Sequence, residues 1–182
     1  METIEKDIEV EAPLSTVYNQ WTQFEDFPKF MEGVEEVKQL DDRRLHWKAE
    51  VGGKEKEWDA EIFQQIPDHR IAWRSTSGVA NSGMVNFEPL ASNKTRISLR
   101  LNYATEGFVE SAADLLGVVG RRVEGDLKRF KDFIQQRGRE TGAWRGEIQG
   151  RETHPPESRG PSNTNITTPG GASGSSGISG NT

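Results

Sequence analysis

Between residues 34 and 104 the chain shows one strand-like run after another, with no interval long enough for a helical crossover. The runs cover 34–40, 44–51, 54–66, 70–76, 83–89 and 95–104. They are separated by turn-forming residues, namely Asp41-Asp42, Gly52-Gly53, Pro67-Asp68, Gly78 and Ser92-Asn93. Parallel neighbours would need a crossover of a dozen or more residues, so this stretch predicts a mainly antiparallel sheet.

The Gly52-Gly53 pair predicts a hairpin and fixes its register. A two-residue loop there sets Trp47 opposite Trp58 and Leu45 opposite Ala60. On the other face the same register pairs opposite charges at Arg44/Glu61, His46/Asp59 and Lys48/Glu57. A shift of one residue would turn Trp47 out to water. We therefore expect Trp47 and Trp58 to be direct neighbours on the concave face of the sheet.

The residues before this stretch predict one strand and two short helices. Residues 3–12 alternate between apolar and acidic positions, as in a half-buried strand, although Lys6 falls on the inner side. Pro13 ends that strand and begins a short helix. A second short apolar helix contains Pro28 and ends at Gly33.

From about Gly107 the apolar period becomes helical and continues to Gly138. The inward stripe consists of Ala112, Leu116, Val119, Val123, Leu127, Phe130 and Ile134. Thr105 is the expected N-cap, and Gly138 is the expected stop. Because Gly117 and Gly120 each weaken a helix, we expect a bend or break near them.

Composition divides the chain into residues 1–138 and a polar segment, residues 139–182. Only six of the last 44 residues are apolar, and the segment from about Gly150 is rich in Gly, Ser, Thr, Pro and Asn. Such a segment buries too little apolar surface to offset its ordering entropy, so we expect most of this tail to be disordered. For residues 139–150, anchoring through Trp144 is the alternative.

Several functional classes are excluded or disfavoured. The chain has no cysteine, which excludes disulfide scaffolds and thiol catalysis. The acidic start does not fit a signal peptide, and no apolar run is long enough to span a membrane, so we expect a cytoplasmic protein. The formal charge of -6 argues against a nucleic-acid partner. No phosphate loop or nucleotide fingerprint occurs, and His46 and His69 lack the context of a metal site, so we expect no metal and no cofactor.

The order of elements and four local segments resemble a known superfamily. The segments are Val10–Tyr18, Phe24–Met31, Gly83–Leu90 and Gly125–Ile134. Together they are similar to the START-like polyketide cyclase/dehydrase superfamily, especially its coenzyme Q-binding branch, over about residues 1–137. The resemblance implies an α+β helix-grip fold: a curved antiparallel sheet of about seven strands, two short helices and one long C-terminal helix. It also implies an apolar cavity for a lipid, polyketide, hormone or quinone.

With that resemblance, the inward aromatic and apolar residues become candidate ligand contacts. The sheet and short helices contribute Phe27, Phe30, Met31, Trp47, Trp58, Trp73, Phe87 and Tyr103. The front of the long helix contributes Phe108, Ala112, Leu115, Leu116 and Val119. An ordinary packed core is the alternative for the aromatic residues. The helix front is apolar on more than one side, which fits burial against the short helices, a mobile gate over the cavity or a transient membrane-surface contact.

The leading functional hypothesis is binding or transport of a hydrophobic small molecule. A polyketide cyclase or dehydratase is one alternative, but no catalytic pair is evident in the sequence. A protein-interaction module is another, because some relatives of this fold are regulatory. The oligomeric state stays open.

Overall fold

The computed structural model describes residues 1–106 and 111–157. The first half contains β1 (Glu2–Val10), α1 (Leu14–Trp21), a 3₁₀ helix (Phe24–Lys29), β2 (Val34–Gln39), β3 (Arg44–Val51) and β4 (Lys54–Ile66). The second half contains β5 (Arg70–Gly78), β6 (Asn81–Ala91), β7 (Lys94–Tyr103), α2 (Ala112–Arg137), β8 (Glu147–Gln149) and β9 (Glu152–His154). Phe108 and residues 158–182 lie outside the described residues.

The sheet is antiparallel throughout its described pairings, as the short intervals predict. Its strand order is β1-β7-β6-β5-β4-β3-β2, so every neighbouring pair except β1 and β7 is consecutive in the chain. Register shifts at Asp59/Ala60 and Ile62/Gln64 interrupt the pairing of β4 with β5, and such bulges bend a sheet. With α2 packed on the curved sheet and two short helices at one end, the fold is the predicted α+β helix-grip.

The hairpin register predicted from Gly52-Gly53 is confirmed. Trp47 lies opposite Trp58, and Leu45 lies opposite Ala60. The two indole rings stack nearly parallel, with centroids 5.7 Å apart and an interplanar angle of 8°. On the opposite face His46 Nδ1 lies 2.7 Å from Asp59 Oδ1. Both glycines have positive φ, 59° and 74°, which is why this two-residue turn favours glycine.

Helix α2 is continuous over 26 residues, so the break expected near Gly117 and Gly120 is absent. The helix begins after Ser111, whose Oγ accepts a hydrogen bond from the Asp114 N–H at 3.2 Å. Ser111, and not Thr105, is therefore the N-cap. The predicted end is confirmed, because Gly138 adopts the left-handed conformation with φ 72°. The inward Lys6 of β1 is accommodated by Glu124 of α2, at 3.4 Å.

Residues 139–149, which we call the C-terminal strap, pack against the domain where the composition predicted the beginning of a disordered tail. Ile148 is fully buried, and β8 pairs with β4 at Gln64 and Gln65, past Glu61, which pairs with the first residue of β3. Trp144 donates its backbone N–H to Thr22 Oγ1 at 3.0 Å. Arg145 forms a bidentate pair with Asp68 at 3.0 and 2.7 Å. The folded structure thus extends past residue 138, as the alternative based on Trp144 had it.

The strap also explains the polar residues buried in α1. Gln20 is fully buried, and its side-chain oxygen accepts the Thr141 N–H at 2.9 Å. The Asn19 side chain bonds to Glu140 at 2.9 Å and to Arg145 at 2.7 Å. A buried amide without such partners would cost about 1–3 kcal/mol, so α1 and the strap depend on each other.

An aromatic cluster fills the end of the fold next to α1, which we call the closed end. Its rings are Tyr18, Trp21, Phe30, Phe87 and Phe130, and all are buried. Trp21 and Phe130 meet edge to face with centroids 4.9 Å apart, and Tyr18 meets Phe87 at 5.3 Å. This geometry is the preferred one for aromatic pairs and leaves little open space.

Candidate functional site

A cavity of about 210 Å³ lies between the concave face of the sheet and α2, beside the closed end. Its wall is almost entirely apolar and combines side chains of the 3₁₀ helix, of β3 to β5, of β7 and of α2. Its lining also includes Glu32 and Gly33 before β2, Glu50 and Val51 at the end of β3, and Val79 between β5 and β6. The site is therefore an apolar pocket within the fold.

Two tryptophan arrangements shape the sheet side of the cavity. The stacked rings of Trp47 and Trp58 form one flat wall, and Phe27 contacts Trp47 with centroids 5.7 Å apart. The indole of Trp73 lies directly over Gly83, where an added methyl group would collide with the ring. Gly83 thus allows Trp73 to lie flat against the neighbouring strand, which keeps the ring from filling the cavity.

Seven of the residues selected from the sequence line the cavity. They are Phe27, Met31, Trp47, Trp58, Trp73, Tyr103 and Val119. For the four strand residues and Val119, strand alternation and the helical stripe put the side chains on the inner side. Phe27 lies in the 3₁₀ helix, and Met31 follows it. Whether they contact a ligand is taken up as a proposal below.

The other candidates lie elsewhere. Phe30 and Phe87 belong to the closed end, where neighbouring rings cover them. Leu115 is fully buried in the core, and Ala112 is exposed near the start of α2. Leu116 lines a shallow groove between α2 and β1. The sequence gives the inward side of each element, but it does not give the position of a side chain along the cavity.

Sequence reasoning missed several lining residues. Apolar ones include Trp21, Phe24, Leu45, Ile62, Ile71, Leu99, Leu101, Val123 and Leu127. Leu99 and Leu101 alternate with Tyr103 along β7, so the period does predict them as inward residues, although they were not among the selected ligand contacts. Two polar residues of α2, Arg122 and Asp126, were also missed. They follow Val119 by three and seven positions, which places them on the same side of the helix.

Polar groups at one side of the cavity connect α2 to the segment before β2. Asp126 Oδ1 accepts the Glu32 N–H at 2.8 Å and lies 2.5 Å from Arg129 Nη2. Arg129 Nε also donates to the Phe30 carbonyl at 3.0 Å, and Arg122 donates to the Glu50 carbonyl. Burial raises the pKa of the Asp126 carboxyl above its ordinary value, although Arg129 and the Glu32 N–H act in the opposite direction.

Two buried polar atoms of cavity-lining residues have no hydrogen-bond partner among the described residues. They are the indole N–H of Trp47 and the hydroxyl of Tyr103. Burial, and secondarily the nearby charge of Glu2, raises the pKa of the Tyr103 hydroxyl above its ordinary value. An unpaired buried donor costs about 1–3 kcal/mol, so such atoms commonly occur where a ligand supplies the partner.

Neither a metal cluster nor a membrane span is present in residues 1–106 and 111–157. No group of three or more His, Asp or Glu side chains there is arranged to hold a metal ion. Within the same residues, no helix is long and apolar enough to cross a bilayer. His46, one of the two domain histidines, lies outside the cavity wall and holds the pKa of Asp59 below its usual value.

The curved sheet, the α2 helix laid over it and the apolar cavity between them define a START-like helix-grip protein. Residues 10–132 match the family described as polyketide cyclase / dehydrase and lipid transport, and the chain belongs to that family. It is 48% identical over 149 residues to an uncharacterized 17.2 kDa protein of Streptomyces lincolnensis, which covers 81% of this chain and 99% of that protein.

Two solved structures show the same fold at low sequence identity. A START superfamily protein from Mycobacterium smegmatis is 15% identical with a TM-score of 0.67, over 74% of this chain and 97% of that one. The Zhui aromatase/cyclase from Streptomyces sp. R1128 is 19% identical with a TM-score of 0.64, over 78% of this chain and 98% of that one. The likeness therefore covers the domain and supports the helix-grip fold.

Proposed function

We propose that this protein binds a small hydrophobic molecule in the cavity between the sheet and α2. The observation that carries the proposal is an apolar cavity of about 210 Å³ bounded by the stacked Trp47 and Trp58 rings. A well-packed domain rarely leaves voids larger than a water molecule, because each lost contact costs dispersion energy. A cavity of this size is therefore better explained by a ligand than by packing.

The size of the cavity indicates a ligand somewhat larger than a single ring. An engineered apolar cavity of about 150 Å³ in another protein binds benzene and stays dry without it. The cavity described here is larger, at about 210 Å³. Burial of about 200 Å² of apolar ligand surface would contribute on the order of 5 kcal/mol before the costs of association. We therefore expect weak to moderate affinity unless polar contacts add to it.

The experiment is to fill the cavity from α2. Val119→Trp places a large ring in the space that the ligand needs, because Val119 lines the cavity. Leu116→Trp is the matched control, because Leu116 lies three residues earlier on the same helix and lines the groove on the β1 side. Binding of 2-ethylnaphthalene, an apolar bicyclic probe, is measured by equilibrium dialysis. We expect loss of binding in the first variant and retention in the second.

Two results would contradict this proposal. One is that the wild-type protein does not bind the probe at high micromolar concentration. The other is that Val119→Trp and Leu116→Trp bind it equally well, which would place the probe outside the cavity. Thermal unfolding of both variants confirms that each is folded before binding is compared.

A cyclase or dehydratase acting in the same cavity is the alternative, and Asp126 favours it. Its carboxyl lines the cavity, and burial raises its pKa, so it retains a proton to higher pH than an exposed aspartate. Such a group can donate a proton to a leaving hydroxyl, which departs as water, and the resulting carboxylate can accept the proton from the carbon α to the ketone. The test is dehydration of a bicyclic β-hydroxy ketone, followed by absorbance of the enone. If the wild-type protein forms the enone and Asp126→Asn does not, the protein is an enzyme. If the wild-type protein binds the ketone without forming the enone, it is a carrier.

The interaction-module alternative has less support. Across the described part of the chain, the large hydrophobic side chains that are exposed are Met1 and Leu40. A docking surface of the usual kind needs a contiguous apolar patch, and these two residues do not form one by themselves.

A further inference from the structure

We propose that Arg122 is the anchor for the polar end of the ligand, and that this end carries a neutral hydrogen-bond acceptor such as a ketone oxygen. The inference rests on the proposed function and adds the chemical class of the ligand: a flat bicyclic aromatic body with one carbonyl group directed toward α2. Most of the hydrogen-bond donors of Arg122 are left without a partner by the described residues of the protein.

Arg122 is half-buried in the cavity wall, and its one described hydrogen bond is to a neutral acceptor, the backbone carbonyl of Glu50. A guanidinium has five N–H donors. Arg129, seven residues later on the same helix, contacts both Asp126 and Glu32 in ion pairs. No carboxylate of the described residues lies within ion-pair distance of Arg122, so donors remain for a ligand.

Trp47, which lines the same cavity, also has an unused donor. The indole N–H of Trp47 is buried and has no partner among the described residues. Arg122 and Trp47 can only donate hydrogen bonds, because neither side chain has an acceptor atom. A ligand that complements them must bring an acceptor atom, and a carbonyl oxygen supplies one without adding a donor that the site cannot pair.

The acceptor is neutral because the cavity offers a second negative charge little to interact with. Its wall is almost entirely apolar, and the Asp126 carboxylate, paired with Arg129, already lies on the Arg122 side. An anionic ligand would lose its hydration on entry and would bring a further negative charge close to Asp126, which a single arginine does not offset. A ketone oxygen accepts from Arg122 without either cost.

The body of the ligand follows from the shape of the wall. Trp47 and Trp58 are stacked with an interplanar angle of 8°, which presents a flat aromatic surface. A planar aromatic ligand can lie parallel to it with an offset, the arrangement that aromatic rings prefer. Two fused rings suit a cavity of about 210 Å³, which is larger than the roughly 150 Å³ that holds benzene.

The test compares 2-acetylnaphthalene with 2-ethylnaphthalene, which differ by a carbonyl in place of a methylene. Both are measured by equilibrium dialysis on the full chain. We expect the wild-type protein to bind the ketone about tenfold more tightly or better, as for a hydrogen bond to a charged group. Arg122→Met removes the donors and keeps the length of the side chain. It is expected to abolish that preference and to leave the affinity for 2-ethylnaphthalene within about twofold.

Three controls make the result decisive. Arg121→Met changes the neighbouring arginine, which is exposed and lines the groove toward β1, and should leave both affinities unchanged. Arg122→Lys should retain part of the preference. The naphthalene carboxylate, 2-naphthoate, should bind more weakly than the ketone. Tighter binding of 2-naphthoate would overturn the neutral-acceptor assignment.

The outcomes separate this inference from the proposed function. Equal binding of ketone and hydrocarbon by the wild-type protein would overturn the role of Arg122 while leaving the cavity a binding site. An equal loss for both probes in Arg122→Met would also overturn it, because Arg122 would then act only on the structure. Failure of both probes to bind the wild-type protein would contradict the proposed function itself.

Discussion

At the closed end of the fold, aromatic rings contact one another, whereas at the cavity end similar rings face open space. Phe130 is fully buried and meets both Trp21 and Phe30 edge to face, with centroids 4.9 and 5.2 Å apart. Among the described residues Trp58 has one ring partner, Trp47, and its side chain lines the cavity. The same kind of residue therefore stabilises the fold at one end and forms a binding surface at the other.

The difference arises from what lies opposite each ring. At the closed end, Trp21 of α1 and Phe30, just after the 3₁₀ helix, contact Phe130 in the second half of α2. At the cavity end the 3₁₀ helix supplies only one side of the wall, through Phe24 and Phe27, and small α2 side chains such as Val119 leave the remaining space unfilled. Whether an inward ring is covered therefore depends on which elements pack against it and not on its residue type.

The difference in packing between the two ends is tested most directly by truncating one ring at each end. Phe130→Ala should lower the free energy of unfolding by about 4 kcal/mol, because it leaves a cavity in a fully packed region. Trp58→Ala should lower it by less than about 2 kcal/mol, because Trp58 is half-buried and one side of the ring already lacks contacts. Urea denaturation measures both values. Equal losses would mean that the cavity end is packed as tightly as the closed end.

The C-terminal strap tests whether the closed end depends on a layer outside it. Deleting residues 139–182 should cost about 3 kcal/mol, since it exposes the site of the fully buried Ile148 and leaves Gln20 without its Thr141 partner. Deleting residues 151–182 should change the melting temperature by no more than one or two degrees. Thermal unfolding of the two truncated chains provides the measurement. A large loss in the shorter deletion would assign a stabilising role to residues beyond the strap.

The smallest expected effect comes from pH and concerns Tyr18 at the closed end. Burial raises the pKa of its hydroxyl to about 12. In the unfolded chain tyrosine titrates near 10. Between these values the unfolded chain loses a proton that the folded chain keeps, so the free energy of unfolding falls as pH rises. From pH 9 to 11 the wild-type protein should lose about 1 kcal/mol more than Tyr18→Phe. If denaturant titrations give the same pH dependence for both proteins, folding does not raise the pKa of the Tyr18 hydroxyl.

The sequence alone determined the sheet, because its information is local. The glycine pair at 52–53 and the alternation around it are sufficient to fix which residues oppose each other, and Trp47 lies opposite Trp58 as they predict. Gly138 ends α2 for an equally local reason, since it adopts a left-handed conformation that other residues rarely take. Inward residues such as Phe27 and Val119 follow from period alone.

Only the tertiary structure decided which inward residues are covered and which face a cavity. Phe30 and Trp47 are both inward by pattern, but Phe130 packs against the first, while the second lines open space. The strap could be anticipated from the sequence only as an alternative, because Ile148 is one apolar residue in a polar segment and its burial depends on pairing with β4 more than 80 residues earlier. From the sequence alone, Arg122 cannot be distinguished from a solvated helix residue. Its position in the cavity wall depends on β3 and the segment before β2, which the fold brings next to it. Contacts between residues distant in sequence depend on how whole elements pack, and no local pattern encodes that packing.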